Sequence, residues 1–240
     1  EKFVGSALGF LWAILNPLVL MGMYVLLFSV ILKVRFIEGG NHIDFGLYLF
    51  CGMIPWLAFQ ESLIKCSSVI MNHRNIILHI RIPLSFLPIH ITISALIQEV
   101  IALTLFIGFV WQYKGLEPQN LAFILFIIPV KMIFTCGFNL LLSPVTVFYR
   151  DIAQLLQIIM ICWFFASPIV YPISQVPPFF LEWYRLNPFV GFVESYRFIV
   201  LGDPVWDWSS YLYLVVISIS LYLAGFFYFR KSQRKILQYV

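Results

Sequence analysis

Two side chains of opposite charge, Glu99 and Lys131, lie inside long apolar stretches of the sequence. An unpaired charge at the centre of a membrane-spanning helix costs at least ~2.5–3.5 kcal/mol on insertion scales. The stretch that contains Glu99 ends near Gln112, 13 residues later, and the stretch that contains Lys131 begins near Asn120, 11 residues earlier. At 1.5 Å per helical residue, both side chains lie roughly 16–20 Å below the same membrane surface.

The loop that joins these two stretches is short, so their helices are expected to be antiparallel neighbours. We therefore predict that Glu99 and Lys131 pair, or that they share a polar cluster with a partner such as Gln98 or Asn139. In the alternative, Lys131 lines a water-filled pore without Glu99 and attracts an anionic substrate, and Glu99 contacts Gln or Ser side chains.

The sequence carries no recognisable catalytic motif. It has no Gly-Lys dipeptide, which excludes a phosphate-binding P-loop, and no HExxH, CxxC or GxSxG pattern. We therefore expect no enzyme activity, metal or cofactor on this chain. The histidines and cysteines are scattered without the spacing of metal ligands, at His42, His73, His79, His90, Cys51, Cys66, Cys136 and Cys162.

The composition is that of a membrane protein. Of the 240 residues, 62% are hydrophobic and 11% are charged, with a mean hydropathy of +0.94, whereas a soluble domain is about 25% charged. So few charged side chains cannot cover a water-facing surface, which excludes a soluble globular enzyme. The 25 Phe, 12 Tyr and 7 Trp residues exclude a disordered tail. We assign the net charge of +4 to membrane orientation and not to nucleic-acid binding.

Six apolar stretches are long enough to cross the ~30 Å hydrocarbon core as helices. Uninterrupted runs of this kind favour a helical bundle over a barrel, so the predicted fold is an all-α integral membrane protein with one domain over 1–240. Nine basic residues fall on the side of the termini and five, Arg197 among them, on the opposite side. Both termini are therefore expected in the cytoplasm. The predicted spans are 10–32, 45–64, 84–111, 121–147, 152–170 and 211–229.

A Pro-rich segment follows the fifth predicted span. The run Ser167-Pro168-Ile169-Val170-Tyr171-Pro172 ends a helix, because proline lacks a backbone donor. The two apolar stretches that follow, 179–186 and 189–201, are too short to span. We predict that 171–208 forms a re-entrant helical hairpin that dips into the outer leaflet and returns. Its aromatic residues are either an interfacial belt or the lining of an exit path in which rings stack on sugar faces.

Short motifs follow one another along nearly the whole chain. They are Gly9-Phe10-Leu11-Trp12 with Asn16-Pro17, Gly52-Met53-Ile54-Pro55-Trp56, Arg81-Ile82-Pro83, Phe148-Tyr149-Arg150-Asp151, the Ser167–Pro172 run, Asn187-Pro188 and Glu194-Ser195-Tyr196-Arg197. In this order the chain resembles the permease subunits of type-2 ABC exporters, most closely the Wzm-like exporters of O-antigen and capsule polysaccharides.

This resemblance implies a homodimeric pore that moves a lipid-linked polysaccharide, such as O-antigen, capsule or a teichoic-acid-like polymer, across the cytoplasmic (inner) membrane. It also implies two copies of a separate nucleotide-binding subunit, on which ATP and Mg would be bound. The inner segment 71–83, with Arg74, His79 and Arg81, is then a coupling helix on that ATPase. The alternative is a surface helix that only meets lipid headgroups.

Two other functions stay open on the sequence. One is a type-2 ABC permease for a drug or small lipid, and the other is a non-transporting membrane scaffold or lipid-modifying factor. For the export permease, we predict that the substrate path is lined by Tyr171, Trp183, Tyr184, Tyr196, Trp12 and Trp56.

Overall fold

The computed structural model describes residues 15, 19, 22–23, 26–31, 42–79, 83–115, 118–202 and 208–239. This part of the chain is helical and contains no β-strand, which confirms the predicted all-α class. It includes a π-helical segment at Leu26–Ile31 and a 3-10 turn at Ile173–Gln175. Its α-helices are α1 (His42–Asn72), α2 (Arg74–His79), α3 (Phe86–Lys114), α4 (Pro118–Ala122), α5 (Ile124–Phe148), α6 (Ile152–Phe165), α7 (Pro178–Leu186), α8 (Pro188–Leu201) and α9 (Trp208–Tyr239).

Within these residues, four helical stretches are long and apolar enough to cross a membrane: Phe45–Asn72, Phe86–Tyr113, Asn120–Phe148 and Ser209–Tyr239. They correspond to the second, third, fourth and sixth predicted spans. The chain is therefore an integral membrane protein. The first predicted span, 10–32, lies largely outside the described residues.

The helix of the fifth predicted span is shorter than expected. Helix α6 has 14 residues and ends at Phe165, so it is about 21 Å long, whereas the prediction extended to Val170. Pro168 lacks a backbone N–H, and its ring disfavours helical geometry at Ser167. Turns replace the helix from Ala166 onward. Helix α6 alone therefore does not cover the ~30 Å hydrocarbon core.

Two other helices are longer than the sequence suggested. Helix α1 continues to Asn72, so the predicted coupling segment 71–83 begins inside a long helix and continues in the short helix α2. Helix α9 continues past the predicted end of its span at 229 to Tyr239. Both extensions lie at the same end of the bundle.

Helices α5 and α9 touch backbone to backbone at two glycines. A Cβ atom added at Gly225 would lie 2.5 Å from the carbonyl oxygen of Gly137, and one at Gly137 would lie 2.7 Å from the backbone nitrogen of Tyr222. Neither position has room for a side chain. Helix α5 also packs against α1 and α3, which places it at the centre of the bundle.

The buried apolar residues form two clusters at opposite ends of the bundle. The larger cluster, which includes Trp56, Phe59 and Phe134, joins α1, α3, α5 and α9 to α6 and α8. We call this the hairpin end. The smaller cluster joins the later halves of α1, α5 and α9 to the start of α3. Because this end carries Arg150 and the basic last turns of α9, we call it the basic end.

Helices α7 and α8 form a hairpin whose arms agree with the predicted stretches 179–186 and 189–201 to within one residue. The side chain of Asn187 accepts a hydrogen bond from the backbone N–H of Phe189 at 3.0 Å and caps α8. Pro188 occupies the first helical position, where no backbone donor is needed. Helix α7 has no buried residue, whereas most of α8 is buried, so the second arm packs inside the bundle.

Candidate functional site

The turn of the hairpin is bonded to the irregular end of α6. Asn187 donates from Nδ2 to the Ser167 hydroxyl at 3.0 Å and to the Ala166 carbonyl at 3.3 Å. Trp163, in the last turns of α6, donates from Nε1 to Oδ1 of Asn187 at 3.0 Å. One amide side chain therefore fixes the hairpin turn to the end of α6.

Arg197 holds the same segment from α8. Its guanidinium donates to the carbonyls of Pro168 at 2.6 Å and Ile169 at 3.2 Å, and to the Glu194 carboxylate at 2.6 Å. The guanidinium carbon also lies 3.5 Å from the ring centre of Tyr48 in α1, a cation–π geometry. The residue is 0% exposed, so its charge lies inside the hairpin end of the bundle and not at the aqueous surface. Carbonyls freed by the turn are its partners.

A cavity of about 600 Å³ lies between α7 and the segment that follows α6. Three of the predicted path residues, Tyr171, Trp183 and Tyr184, line it. Gln175 and Asn187 add amide groups to the lining. Ligand sites typically combine apolar or aromatic walls with a few polar groups, and this cavity has both.

The two tyrosine hydroxyls of this cavity are linked. The Tyr171 hydroxyl donates to the Phe165 carbonyl at 2.5 Å and forms a second hydrogen bond with the Tyr184 hydroxyl. Burial raises the pKa of Tyr171, and the neighbouring Tyr184 raises it further, so the Tyr171 phenol stays neutral across the physiological pH range. Trp183 is 70% exposed, which places its ring at the surface of the cavity.

The other predicted path residues lie elsewhere. Trp56 is buried, with the ring centre of Phe189 at 4.8 Å, and it donates from Nε1 to Gln60 at 2.9 Å. Tyr196 is 0% exposed. Both rings are covered by protein in this structure and do not line this cavity. Trp12 lies outside the described residues.

Glu99 and Lys131 meet inside the bundle. Lys131 Nζ lies 2.6 Å from Glu99 Oε2, and both side chains are buried. The hydroxyl of Tyr196 donates to the other carboxylate oxygen, Oε1. One carboxylate therefore joins α3, α5 and α8, with one donor on each of its oxygens. This geometry differs from the alternative in which Lys131 stands alone on a wet pore.

Asn139, a suggested partner of this charged cluster, belongs to a separate polar layer about two turns further along α5. Its Nδ2 donates to the Ser62 hydroxyl of α1 at 2.8 Å and to the Thr92 hydroxyl of α3 at 2.9 Å. Among the described residues, the third member of the charged cluster is thus Tyr196, in place of Asn139 or Gln98.

A cavity of about 10 Å³ separates the two polar layers, with Thr92, Glu99, Lys131 and Thr135 in its lining. This is close to the smallest volume that holds one water molecule. In the part of the chain that the structure describes, no three His, Cys, Asp or Glu side chains are arranged to hold a metal ion. The hydrogen bonds of the two polar layers join helices α1, α3, α5 and α8.

Two of the three predicted coupling residues, Arg74 and His79, lie at the basic end. Arg74 and His79 are exposed at the two ends of α2. The His79 ring is hydrogen-bonded through Nδ1 to the Asn75 carbonyl at 2.6 Å, and the His73 ring to the Val69 carbonyl at 2.8 Å. Arg81 lies outside the described residues. Helix α2 is thus a short element of mixed polar and apolar residues attached to the end of α1.

Comparison with known proteins agrees with a membrane transport role. The family model described as ABC-2 type transporter matches residues 2–201. The chain is 28% identical to the O-antigen export system permease protein RfbA of Myxococcus xanthus, over 93% of this chain and 85% of that protein. It is 24% identical to the Klebsiella pneumoniae protein of the same name, over 94% and 82% of the two chains. It is 23% identical to the polysialic acid transport protein KpsM of Escherichia coli, over 98% and 90%. With four membrane-crossing helices and a family match over most of its length, the chain belongs to the ABC-2 type transporter family.

Proposed function

We propose that this chain is the permease subunit of an ATP-driven exporter of a lipid-linked polysaccharide, such as an O-antigen, capsule or teichoic-acid-like polymer. The observation that carries the proposal is the similarity, over more than nine-tenths of the chain, to relatives named for O-antigen export and polysialic acid transport. Both names denote polymeric glycans. A polymer of sugars is therefore the cargo class that we assign to this chain.

The proposed topology has six spans with both termini in the cytoplasm. A first span at 10–32 precedes the described bundle, and α6 with the turn after it forms the fifth. The support is the distribution of charge, since cytoplasmic ends of membrane proteins carry the excess of Lys and Arg. The basic end holds Arg150 and the cations of α9. The basic end then faces the cytoplasm, and the hairpin end faces outward with α7 and α8 re-entering the membrane.

The proposed complex contains two copies of this chain and two copies of an ABC nucleotide-binding subunit in the inner membrane. The sequence has no P-loop, so ATP and Mg belong on that second subunit. The segment 71–83 is the proposed docking element, supported by the position of α2 at the basic end and by its exposed residues Arg74 and His79.

The cavity beside α7 is the proposed exit site for the glycan. Trp183, Tyr171 and Tyr184 offer flat apolar ring faces, on which a sugar ring can stack. The amide of Gln175 can donate to and accept from sugar hydroxyls. Ring faces beside an amide favour a hydroxyl-rich polymer over a purely apolar drug.

The hairpin is positioned to respond to movements of the spanning helices. Helix α8 carries Tyr196, which is bonded to Glu99 of α3, and Arg197, which is bonded to the end of α6. A shift of α3 or α6 therefore acts on the hairpin through hydrogen bonds to buried charges, which are stronger than bonds between neutral groups. We assign to these bonds the transmission from the ATPase to the exit site.

Deletion of the gene in the source organism tests the proposal. Surface polysaccharide should be lost and its lipid-linked precursor should accumulate inside, and a plasmid-borne copy should restore export. The matched control is a copy of the chain that carries Gly108→Ala, because Gly108 has open space around its Cα position. Intact surface glycan with loss of a smaller lipid or drug from the medium would favour the small-molecule permease instead.

A further inference from the structure

The last turns of α9, 230–239, have two chemically distinct faces. One face is buried against the basic-end cluster through Ser232 and Ile236, and it continues the buried side of the helix from Phe229. This anchoring makes the last turns part of the folded bundle and holds the other face in one orientation. That other face is exposed and carries four cations: Arg230, Lys231, Arg234 and Lys235.

The four cations form two pairs four residues apart on adjacent strips of the helix surface. At 3.6 residues per turn they fall within an arc of about 140°, opposite the buried face. Members of such pairs lie ~5–6 Å apart at Cβ, close enough to approach one phosphate together. Helix α9 contains no Asp or Glu from Trp208 to Tyr239, so none of this charge is compensated on its own helix.

The depth of this basic face relative to the bilayer follows from the residues that precede it. Leu223, Phe226 and Phe227 are exposed on the same side of α9, one to two turns earlier. A membrane-crossing length of about 20 residues counted from Ser210 ends at Phe229. The first cation therefore stands where the hydrocarbon of the bilayer ends and the headgroups begin.

We propose that this face binds the anionic headgroups of phospholipids in the adjoining leaflet. The occupant must place hydrocarbon against Phe227 and negative charge against Arg230 and Arg234. A phospholipid does so, because its acyl chains lie beside the span and its charged headgroup lies beyond the end of the span. A protein partner would have to enter the headgroup layer to reach the first pair. Clusters of four or more cations directly after a spanning helix are typical anionic-lipid sites. Only the assignment to the cytoplasmic leaflet rests on the proposed topology.

The test uses the full-length permease in detergent and phosphatidylglycerol as the probe, with phosphatidylcholine of the same acyl chains as reference. Native mass spectrometry gives the dissociation constant of each bound lipid. The variant replaces Arg230, Lys231, Arg234 and Lys235 by Gln. We expect its dissociation constant for phosphatidylglycerol to rise at least about fivefold, the effect of one lost surface cation, while phosphatidylcholine binding stays constant.

Two further variants separate charge from folding. Exchanging Arg for Lys and Lys for Arg at the four positions keeps the charge, so it should keep the affinity for phosphatidylglycerol. Arg234→Gln with Lys235→Gln spares Arg230 and Lys231 at the end of the span and should give part of the loss, even where the fourfold variant does not fold. Added NaCl should weaken phosphatidylglycerol binding to the parent chain, because salt screens exposed charges.

Unchanged phosphatidylglycerol binding in the folded variants overturns the proposal. So does a variant whose only defect is loss of copurifying ATPase, since the face then docks a protein. A parent chain that prefers a prenyl diphosphate to phosphatidylglycerol at these residues overturns it too, in favour of the substrate carrier. No transport is measured, so failure here leaves the export function standing, and a failed export test leaves the lipid site standing.

Discussion

The hydroxyl of Tyr196, in the hairpin helix α8, donates a hydrogen bond to the carboxylate of Glu99, which lies 97 positions earlier in the chain in helix α3. The second oxygen of the same carboxylate accepts from Lys131 of α5 at 2.6 Å. All three side chains are buried. The hairpin is therefore attached to two spanning helices through one buried charge pair.

Removing one partner of this pair should be costly. Lys131→Met leaves the Glu99 carboxylate buried with only the Tyr196 hydroxyl as a donor. A buried charge that loses its partner typically costs about 3–5 kcal/mol of stability. We expect a clear drop in the temperature at which the detergent-solubilised permease loses its monodisperse chromatographic peak.

The matched control removes both charges. Glu99→Gln with Lys131→Met removes both charges of this cluster, and the Gln oxygen still accepts from Tyr196, so much of the lost stability should return. A double variant that is as unstable as Lys131→Met alone would contradict the pairing.

Arg197 should be more sensitive to substitution than any exposed arginine. Arg197→Met leaves the Pro168 carbonyl and the Glu194 carboxylate without their donor, and we expect a loss of about 3–5 kcal/mol. Arg197→Lys should recover only part of it, because one ammonium cannot reproduce the fork of the guanidinium. Thermal unfolding of the purified chain measures both. Arg185→Met in α7 is the control and should stay within about 0.5 kcal/mol, and equal losses at the two arginines would contradict the buried role of Arg197.

Substitution of a residue that lines the cavity beside α7 should reduce export selectively. Trp183→Ala should lower the amount of polysaccharide exported per assembled complex, because Trp183 lines the cavity. Phe179→Ala on the same helix is the control, since Phe179 is 71% exposed and does not line it. An aromatic belt that only anchors the protein predicts the same loss of yield for both variants and no selective loss of export.

The coupling segment should tolerate charge reversal poorly. Arg74→Glu combined with Arg81→Glu should reduce the ATPase that copurifies with the permease. Each exposed charge pair is worth only about 0–1 kcal/mol, so both changes are needed. Lys114→Glu with Arg185→Glu makes the same charge change at the hairpin end, where the ATPase does not reach in the proposed topology. If the variant with Arg74→Glu and Arg81→Glu copurifies with the ATPase and exports normally, the segment 71–83 is not the docking element.

The contact between α5 and α9 should reject even a methyl group. Gly225→Ala places Cβ against the Gly137 carbonyl, and overpacking of this kind typically costs about 1–3 kcal/mol. Gly108→Ala, with nothing within 4 Å, should be neutral or slightly stabilising. Thermal unfolding of the two purified variants measures the difference, and equal stability would mean that the helices separate easily at this point.

The approach of Glu99 to Lys131 could be predicted because both residues lie on long apolar helices joined by a short loop. Depth along such helices follows from counting residues, at 1.5 Å each. The same reasoning could not identify Tyr196 as the third partner. The depth of a hairpin that does not cross the membrane is set by its packing inside the bundle, and the sequence contains no length from which to calculate it.

The burial of Arg197 could not be predicted from the sequence either. A cation is usually exposed, and counting basic residues on each side of the membrane does not show which of them is buried. Its burial depends on carbonyls that are free only because Pro168 ends α6 early. A proline that ends a helix can be recognised in the sequence. The side chain that binds the freed carbonyls cannot be predicted from it.

The short length of α6 affects the thickness of the bilayer beside it. Its exposed face is apolar, with Leu155, Ile158 and Phe165 all more than half exposed, but 14 residues are about 9 Å shorter than the hydrocarbon thickness. A bilayer meets a short apolar surface by thinning, at fractions of a kcal/mol per Å of mismatch. The membrane should therefore dip toward the Asn187 turn, and a lipid anchor that crosses beside α6 would meet a narrower hydrophobic barrier than elsewhere in the membrane.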